Sequence, residues 1–306
     1  MQGSVIIPAH NESAVIERTL TSLLKSIGDQ PVDVFVVCNG CTDDTAAKAK
    51  QFAPKVQVIE TEIGSKVHAL NLGDEAATKF PRIYLDADID VTPNFVPDMI
   101  TAMEGDDVSA AWPTVRYETS DSSWIVKAYY YVWPRLPYNQ PGRIGVGAYG
   151  MNEAARGRFE EFPKIISDDG FVRGQFTKPE RTIVPTCQTL VYAPSTASML
   201  IKIRTRSRLG VYELKSTHAA VLERHHSEDN RWETIRTILR PDVLIRFPVY
   251  LIISLIVRYR AKKQMANLSS YNWERDDSSR KGDGENADTA QKQNGDSKHE
   301  TVSSLK

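Results

Sequence analysis

The sequence predicts an α/β protein with a mostly parallel sheet, and two observations lead to that class. Short apolar runs rich in β-branched residues alternate with helical stretches through the first part of the chain, which is typical of strands joined by helices. With 306 residues, 41% of them hydrophobic, the chain is also long and apolar enough to bury a large core.

The predicted elements follow one another in a regular order. The strands are the apolar runs 5–7, 32–37, 56–59 and 83–85. The helices between them are the stretches 14–24, 45–52 and 67–77. After the second strand, Gly40 suits a tight turn, and Thr42 or Asp43 suits the cap of the helix that begins at residue 45.

Polar loops follow three of the predicted strands. They are residues 8–12, 39–43 and 86–88. The carboxyl ends of parallel strands meet at one edge of a sheet, and this edge is where α/β proteins bind ligands. We therefore expect these three loops to form the functional site.

Composition excludes several classes of protein. The net charge is −1, which argues against a basic nucleic-acid binder and against a highly charged disordered chain. Three cysteines cannot form a disulfide framework, so we expect reduced thiols and a cytoplasmic protein. Pro8 interrupts the first apolar run too early for a signal peptide, so we expect the fold to begin at the first residue.

Asp86 and Asp88 follow a buried strand directly, with Asp90 two residues further on. Carboxylates at such a place need a compensating charge, and a divalent cation completed by substrate phosphates supplies one. The alternative is a solvated turn. Lys66 opens a predicted helix, where the helix dipole disfavours a cation, and this points weakly to an anionic partner.

Two further patterns each allow a functional and a purely structural interpretation. Asp168 and Asp169 precede a short predicted helix, 171–176. Either one of them acts as a general base beside the other, or the pair caps the helix. Gly145–Gly150 matches a dinucleotide-binding fingerprint in letters, but no buried strand precedes it. We interpret these glycines as a close backbone approach beside an acceptor pocket.

The second half is less regular. Aromatic residues concentrate between 108 and 176, either as core or as a stacking surface for a ligand. Residues 202–263 carry fourteen Lys or Arg against six Asp or Glu, and include the apolar segment 243–257. That segment is short for a membrane span, so an interfacial segment with a basic flank is favoured over a core helix or a span. The polar residues 267–306 are predicted to be a disordered tail.

Five motifs taken together resemble glycosyltransferase family 2 and its GT-A (Rossmann-like) fold. They are Val5–Glu12, Asn39–Thr45, Lys66–Asn71, Asp86–Asp88 and Ser167–Asp169. Their order is that of the family, and they cover residues 4–210. The resemblance implies inverting transfer of a sugar from a nucleotide-diphosphate sugar to an acceptor hydroxyl.

The resemblance also implies roles for individual residues. The donor-binding residues are Pro8, Ala9, Asn11, Glu12, Asn39, Lys66, Asp86 and Arg206, where Arg206 belongs to a basic run with Arg204 and Arg208. That run either approaches the diphosphate or forms an exposed basic face. Asp86 and Asp88 would hold a divalent cation, Mg or Mn, and Asp169 would be the general base.

The expected organisation has three parts. Residues 1–215 form the GT-A domain, with a nucleotide-sugar half, 1–105, and an acceptor half, 106–215. Residues 216–266 form helices that dock on a membrane, and 267–306 form the tail.

The expected substrates follow from the same resemblance. The donor is expected to be a UDP-sugar, although Cys38, Asn39 and Cys41 depart from the family pattern. The acceptor is expected to be a carbohydrate or a lipid-linked molecule in cell-envelope, exopolysaccharide or glycolipid synthesis. The Gln-x-x-Arg-Trp motif of processive members is absent, so we expect addition of single sugars at the cytoplasmic face of the membrane.

Two other functions remain to be compared with this one. A nucleotidyltransferase would use a similar fold and a metal, but it needs a glycine-rich, cationic loop where residues 8–12 have neither. A non-catalytic binding protein on a degenerate scaffold is the other alternative, against which Asp86, Asp88 and Asp169 argue.

Overall fold

The computed structural model describes residues 2–105, 108–137, 147–220 and 231–267. The predicted tail lies outside the described residues apart from Asn267, as do Gly145 and Val146 of the glycine motif.

One eight-stranded sheet organises the fold, in the order β3-β2-β1-β4-β7-β6-β8-β5. Its strands are β1 (Gly3–Ala9), β2 (Val32–Asn39), β3 (Val56–Thr61), β4 (Arg82–Leu85), β5 (Asp90–Val91), β6 (Ala110–Glu118), β7 (Ala148–Met151) and β8 (Arg181–Tyr192). The first four in spatial order are parallel, and β7 and β5 run antiparallel to their neighbours. All four predicted strands are confirmed.

Helices cover the sheet and extend beyond it. They are α1 (Ile16–Ile27), α2 (Thr45–Lys50), α3 (Lys66–Ala76), α4 (Phe95–Thr101), α5 (Trp124–Val132), α6 (Glu153–Arg156), α7 (Asp168–Gly174), α8 (Ala197–Thr217), α9 (Arg231–Ile238), α10 (Pro241–Leu244) and α11 (Phe247–Met265). The three helices predicted in the first half are present, with ends that differ from the predicted ones by at most three residues.

The sheet is buried on both faces. Every residue of β1 is buried, and successive side chains enter different cores. Ile7 packs with Leu20 and Phe95 on one face, and Ile6 packs with Leu70 and Tyr84 on the other. The side chains of β1, which alternate between the two faces of the sheet, therefore pack against both layers of helices.

A third core joins the C-terminal helices to the rest of the protein. Val126 of α5, Leu200 of α8, and Tyr250 and Ile253 of α11 are buried together in it. The predicted C-terminal helical segment thus docks on α5 and α8 through one face. No helix in the described ranges is long and apolar enough to cross a membrane.

Candidate active site

Hydrogen bonds join the loop after β1 to the loop after β2. The carbonyl of Asn39 is hydrogen-bonded by His10 Nδ1, and Asn11 Oδ1 accepts a hydrogen bond of 2.7 Å from the amide of Thr42. Asn11 has a φ of 52°, which asparagine tolerates better than most residues. The predicted donor loops therefore meet at one edge of the sheet.

The predicted donor residues in these loops are largely covered by protein. Pro8 and Ala9 lie in β1 and are buried. Glu12 is buried, and its amide donates to Thr45 Oγ1 at 2.7 Å. Asn39 is buried too, and its Nδ2 donates to the carbonyl of Ala9 at 2.8 Å. The side-chain amide of Asn39 therefore ties β1 to β2, and its contact with a base stays a prediction.

Lys66 connects two of the predicted acidic motifs. Its Nζ lies 2.8 Å from Asp86 Oδ1 and 3.1 Å from Asp168 Oδ1. Burial opposes the charge of Lys66, but Asp168 and Asp86 outweigh it and raise its pKa above the ordinary value. These two carboxylates explain why a cation stands at the first position of α3.

Asp168 is the most buried of the carboxylates in the site. Burial raises its pKa, the charge of Lys66 lowers it, and the carboxylates of Asp169 and Asp86 raise it further. The Tyr149 hydroxyl donates to Asp168 Oδ2 at 3.2 Å. Sequence reasoning missed Tyr149, because nothing in the sequence indicates that β7 lies beside β4.

Asp169 is half-buried at the start of α7. Its Oδ1 accepts hydrogen bonds from Ser167 Oγ at 2.9 Å and from the amide of Gly170 at 2.7 Å. Ser167 makes no side-chain capping bond to the helix. The carboxylate of Asp169 is thus held in one orientation beside Asp168.

Asp86 and Asp88 are half-exposed on either side of the buried Ala87. Asp90 is not a third member of this acidic motif. Its Oδ1 accepts from Arg18 Nε at 2.8 Å, and its Oδ2 accepts from the Tyr192 hydroxyl at 2.8 Å. The structure therefore corrects the idea of three acidic neighbours, and Asp90 fastens α1 to β8.

Asp86 and Asp88 are the carboxylates that could hold a divalent cation. In the part of the chain that the structure describes, no group of three His, Cys, Asp or Glu residues is placed to hold a metal. Asp86 and Asp88 supply hard oxygen donors, and the Asp86 side chain is 39% exposed. Two carboxylates completed by diphosphate oxygens are a usual arrangement for Mg²⁺.

Gly147 of the glycine motif lies close to the acidic loop. Gly147 has a φ of 71°, and a Cβ there would lie 2.6 Å from Ile89 Cγ1. Its carbonyl accepts a hydrogen bond of 2.8 Å from the amide of Asp86. Gly147 thus contacts the acidic loop closely, and the acceptor pocket that we expected beside this motif stays a prediction.

The basic run lies on α8 and does not form a row. Residues two apart on a helix point to different sides, and the guanidinium of Arg204 lies 4.0 Å above the Trp133 ring. Neither predicted role, an exposed basic face or a diphosphate contact, fits Arg204. Arg206 is half-buried, and its donor role stays a prediction.

Cys41 is expected to be the most reactive cysteine. Its hydrogen bond with Cys38, opposed by burial and aided by the Asn11 amide, lowers the pKa of Cys41 to about 7. The pKa values of Cys38 and Cys187 are raised.

The thiolate is the nucleophile, so iodoacetamide should modify Cys41 first, at a rate that rises as the pH passes about 7. Peptide mass spectrometry over pH 5.5–9 would check this, and earlier modification of Cys187 would contradict it.

The sequence profile named "Glycosyl transferase family 2" matches residues 4–158, about half of the chain. The chain belongs to glycosyltransferase family 2. The match contains the β1 and β2 loops, Lys66, Asp86 and Asp88, and ends before Asp168 and Asp169. The protein is therefore a glycosyltransferase, as its motifs predict, and not a nucleotidyltransferase.

Solved structures similar to this family 2 glycosyltransferase have the GT-A fold. The mannosyltransferase PcManGT from Pyrobaculum calidifontis, in complex with GDP-Man and Mn²⁺, is 18% identical with a TM-score of 0.52, over 88% of this chain and 75% of that one. S. aureus TarS in complex with UDP is 13% identical with a TM-score of 0.50, over 91% and 95%.

A third similar structure is glucosyl-3-phosphoglycerate synthase from Mycobacterium tuberculosis, in complex with Mn²⁺, UDP and glucosyl-3-phosphoglycerate. It is 21% identical with a TM-score of 0.51, over 70% of this chain and 79% of that one. No curated protein sequence matches the glycosyltransferase. At these identities the structures show the shared GT-A fold alone.

Proposed function

We propose that this glycosyltransferase transfers single sugars from a nucleotide-diphosphate sugar to an acceptor hydroxyl, with inversion and with a divalent cation. One observation carries the proposal. Lys66, Asp86 and Asp168 form a linked charge cluster at the edge of the sheet, with Asp169 beside it. Such a cluster supplies separate groups for the leaving diphosphate and for the acceptor proton.

The donor is proposed to be a UDP-sugar that binds at the hydrogen-bonded loops after β1 and β2. Two of the similar structures contain UDP and one contains GDP-Man. The amide of Thr42 and the hydroxyl of Thr45 both contact the loop after β1, through Asn11 and Glu12, and a polar junction of this kind suits a nucleotide.

Asp86 and Asp88 are proposed to hold Mg²⁺ or Mn²⁺, as two of the similar structures contain Mn²⁺. When bound, the cation neutralises the charge of the departing diphosphate. Lys66 is proposed to contribute a fixed positive charge beside Asp86, since two carboxylates keep it ionised.

Asp169 is proposed to accept the proton of the acceptor hydroxyl. Its hydrogen bonds from Ser167 and Gly170 both reach Oδ1, and they hold the carboxylate in a fixed orientation. In an inverting transfer the acceptor oxygen attacks as the diphosphate leaves, so one base is sufficient.

The glycosyltransferase is proposed to act at the cytoplasmic face of a membrane, on a carbohydrate or lipid-linked acceptor in envelope or exopolysaccharide synthesis. Large apolar side chains of α10 and α11 are exposed, among them Leu244, Ile252 and Leu255. Arg258, Arg260, Lys262 and Lys263 follow on α11. An apolar face with a basic flank favours an anionic membrane surface.

Calorimetric titration with UDP, GDP, CDP and dTDP, with and without Mn²⁺, tests the donor site. We expect Mn²⁺-dependent binding of UDP, weakened at least about tenfold in Asp88→Ala because a carboxylate ligand is lost. Asp29→Ala is the matched control, since Asp29 is exposed in the turn before β2, at the opposite edge of the sheet. Binding that is equal without Mn²⁺, or unchanged in Asp88→Ala, would contradict the metal role.

A further inference from the structure

A cavity of about 600 Å³ lies apart from the donor loops, between the end of β6, α5 and the segment that joins α10 to α11. Trp124, Tyr130 and Tyr131 of α5 form an aromatic wall, and Ile245 and Val249 form an apolar one. Trp124 is 69% exposed at its rim. The cavity has no part in the donor site proposed above.

The polar lining of this cavity is cationic. Lys127, Arg135 and Arg246 all line it, and none of its described lining residues is acidic. The guanidinium groups of Arg135 and Arg246 lie 3.7 and 4.4 Å from the centre of the Tyr131 ring. Three cationic lining residues outnumber the carboxylate beside them, that of Asp242, whose Oδ2 accepts a hydrogen bond of 2.7 Å from the Tyr131 hydroxyl. The cavity therefore favours an anion, and guanidinium groups favour phosphate in particular.

An exposed apolar stripe begins at the cavity. Val249 of the cavity wall is followed on α11 by Ile252 and Ile256, at spacings of three and four residues, so these three share one side of the helix. Ile245 lies just before α11, and Val249 is partly buried against the third core. Ile245, Ile252 and Ile256 are 78%, 57% and 38% exposed. The adjacent side, with Tyr250, Ile253 and Val257, is the side that packs on the protein.

The cavity lies at the same end of the sheet as the acidic motif. Asp90 is paired with Leu190, and Leu190 with Arg116. Two strand spacings, about 10 Å, thus separate the backbones of Asp90 and Arg116. β5 is antiparallel to β8, and β6 is parallel to β8. The chain from Asp90 back towards Asp88 therefore runs in the same direction as β6 from Arg116 to Tyr117. Tyr117 lines the cavity.

We propose that this cavity binds the phosphate headgroup of a membrane lipid, whose chains cover the exposed side chains of Ile245, Ile252 and Ile256. The cations account for the phosphate, and the continuity of the stripe with the cavity wall accounts for a lipid rather than a free anion. This inference extends the membrane location that we propose above and is independent of the donor site.

Calorimetric titration of the full chain with dihexanoyl phosphatidic acid, below its micelle concentration, tests the proposal. We expect binding at least about tenfold weaker in the double variant Lys127→Gln/Arg135→Gln, since two charges are removed from the cavity. The control is Lys202→Gln/Lys215→Gln, which removes two charges from exposed positions of α8. This control should bind like the wild type, and both double variants should keep the wild-type melting temperature.

Four results would overturn the proposal. They are equal weakening in both double variants, equal affinity for dihexanoyl phosphatidylcholine, equal affinity for inorganic phosphate, and a dimer in light scattering that binds no lipid. Ile252→Glu should also reduce sedimentation with vesicles of phosphatidylglycerol and phosphatidylcholine. Titration of the cavity variant with UDP and Mn²⁺ separates the two proposals, because lipid binding without nucleotide binding overturns only the donor site.

Discussion

Replacing Asp169 with Asn is expected to lower kcat about 10²–10⁴-fold, the usual contribution of a general base, with little change in the affinity for UDP. Asn has no basic oxygen for the acceptor proton. Its carbonyl oxygen still accepts the hydrogen bonds that Ser167 and Gly170 donate to Oδ1. The start of α7 should therefore keep its structure, and the loss should concern the chemical step.

Initial rates of transfer and calorimetric binding of UDP, measured on the same preparation, would check this expectation. Asp29→Asn is the matched control, because Asp29 is exposed and distant from the cluster. A variant Asp169→Asn that retains wild-type kcat would exclude Asp169 as the base. Equal losses of rate and of UDP binding would indicate that Asp169 holds the donor.

Asp74→Ala is expected to lower the free energy of unfolding by about 3–5 kcal/mol, as when one partner of a buried ion pair is removed. Asp74 Oδ1 accepts from Arg82 Nη1 at 2.8 Å and from the Tyr84 hydroxyl at 2.7 Å, and Oδ2 accepts from Arg156 Nε at 2.5 Å. The Asp74, Arg82 and Arg156 side chains are only 6%, 12% and 11% exposed. The substitution would leave two buried guanidinium groups without their carboxylate.

Urea unfolding followed by circular dichroism would measure this loss. Asp33→Ala is the matched control, since Asp33 pairs with Lys79 at 2.8 Å near the surface, with side chains 27% and 32% exposed. That pair should contribute about 0–1 kcal/mol. A cost for Asp74→Ala no larger than that for Asp33→Ala would show that the buried network adds no stability.

The first half of the fold was predictable because its signals are local. Runs such as 32–37 are apolar and β-branched, and the parallel arrangement of such strands brings their carboxyl ends together. The meeting of the β1 and β2 loops follows from that rule alone. The mixed pairing of β7, β8 and β5 depends on contacts between distant segments, which carry no periodic signal.

The site was predictable in part for the same reason. The position of Lys66 suggested an anionic partner, but the structure identifies Asp86 and Asp168 as two such partners within the chain. Asp90 was misjudged because its ion pair with Arg18 joins residues 72 positions apart. The role of Arg204 was misjudged because α8 packs on α5, which places the Arg204 guanidinium over the rings of Tyr129 and Trp133.

Helix α3 carries Lys66 at its first residue and Asp74 near its last, so one rigid element serves the site and the core. It is also pressed against the sheet, since a Cβ at Gly73 would lie 2.4 Å from Ile6 Cγ2. A change that loosens this helix would reach Lys66 as well. Under the role proposed for Lys66, thermostability and turnover are coupled along α3, and efforts to engineer one of them there will alter the other.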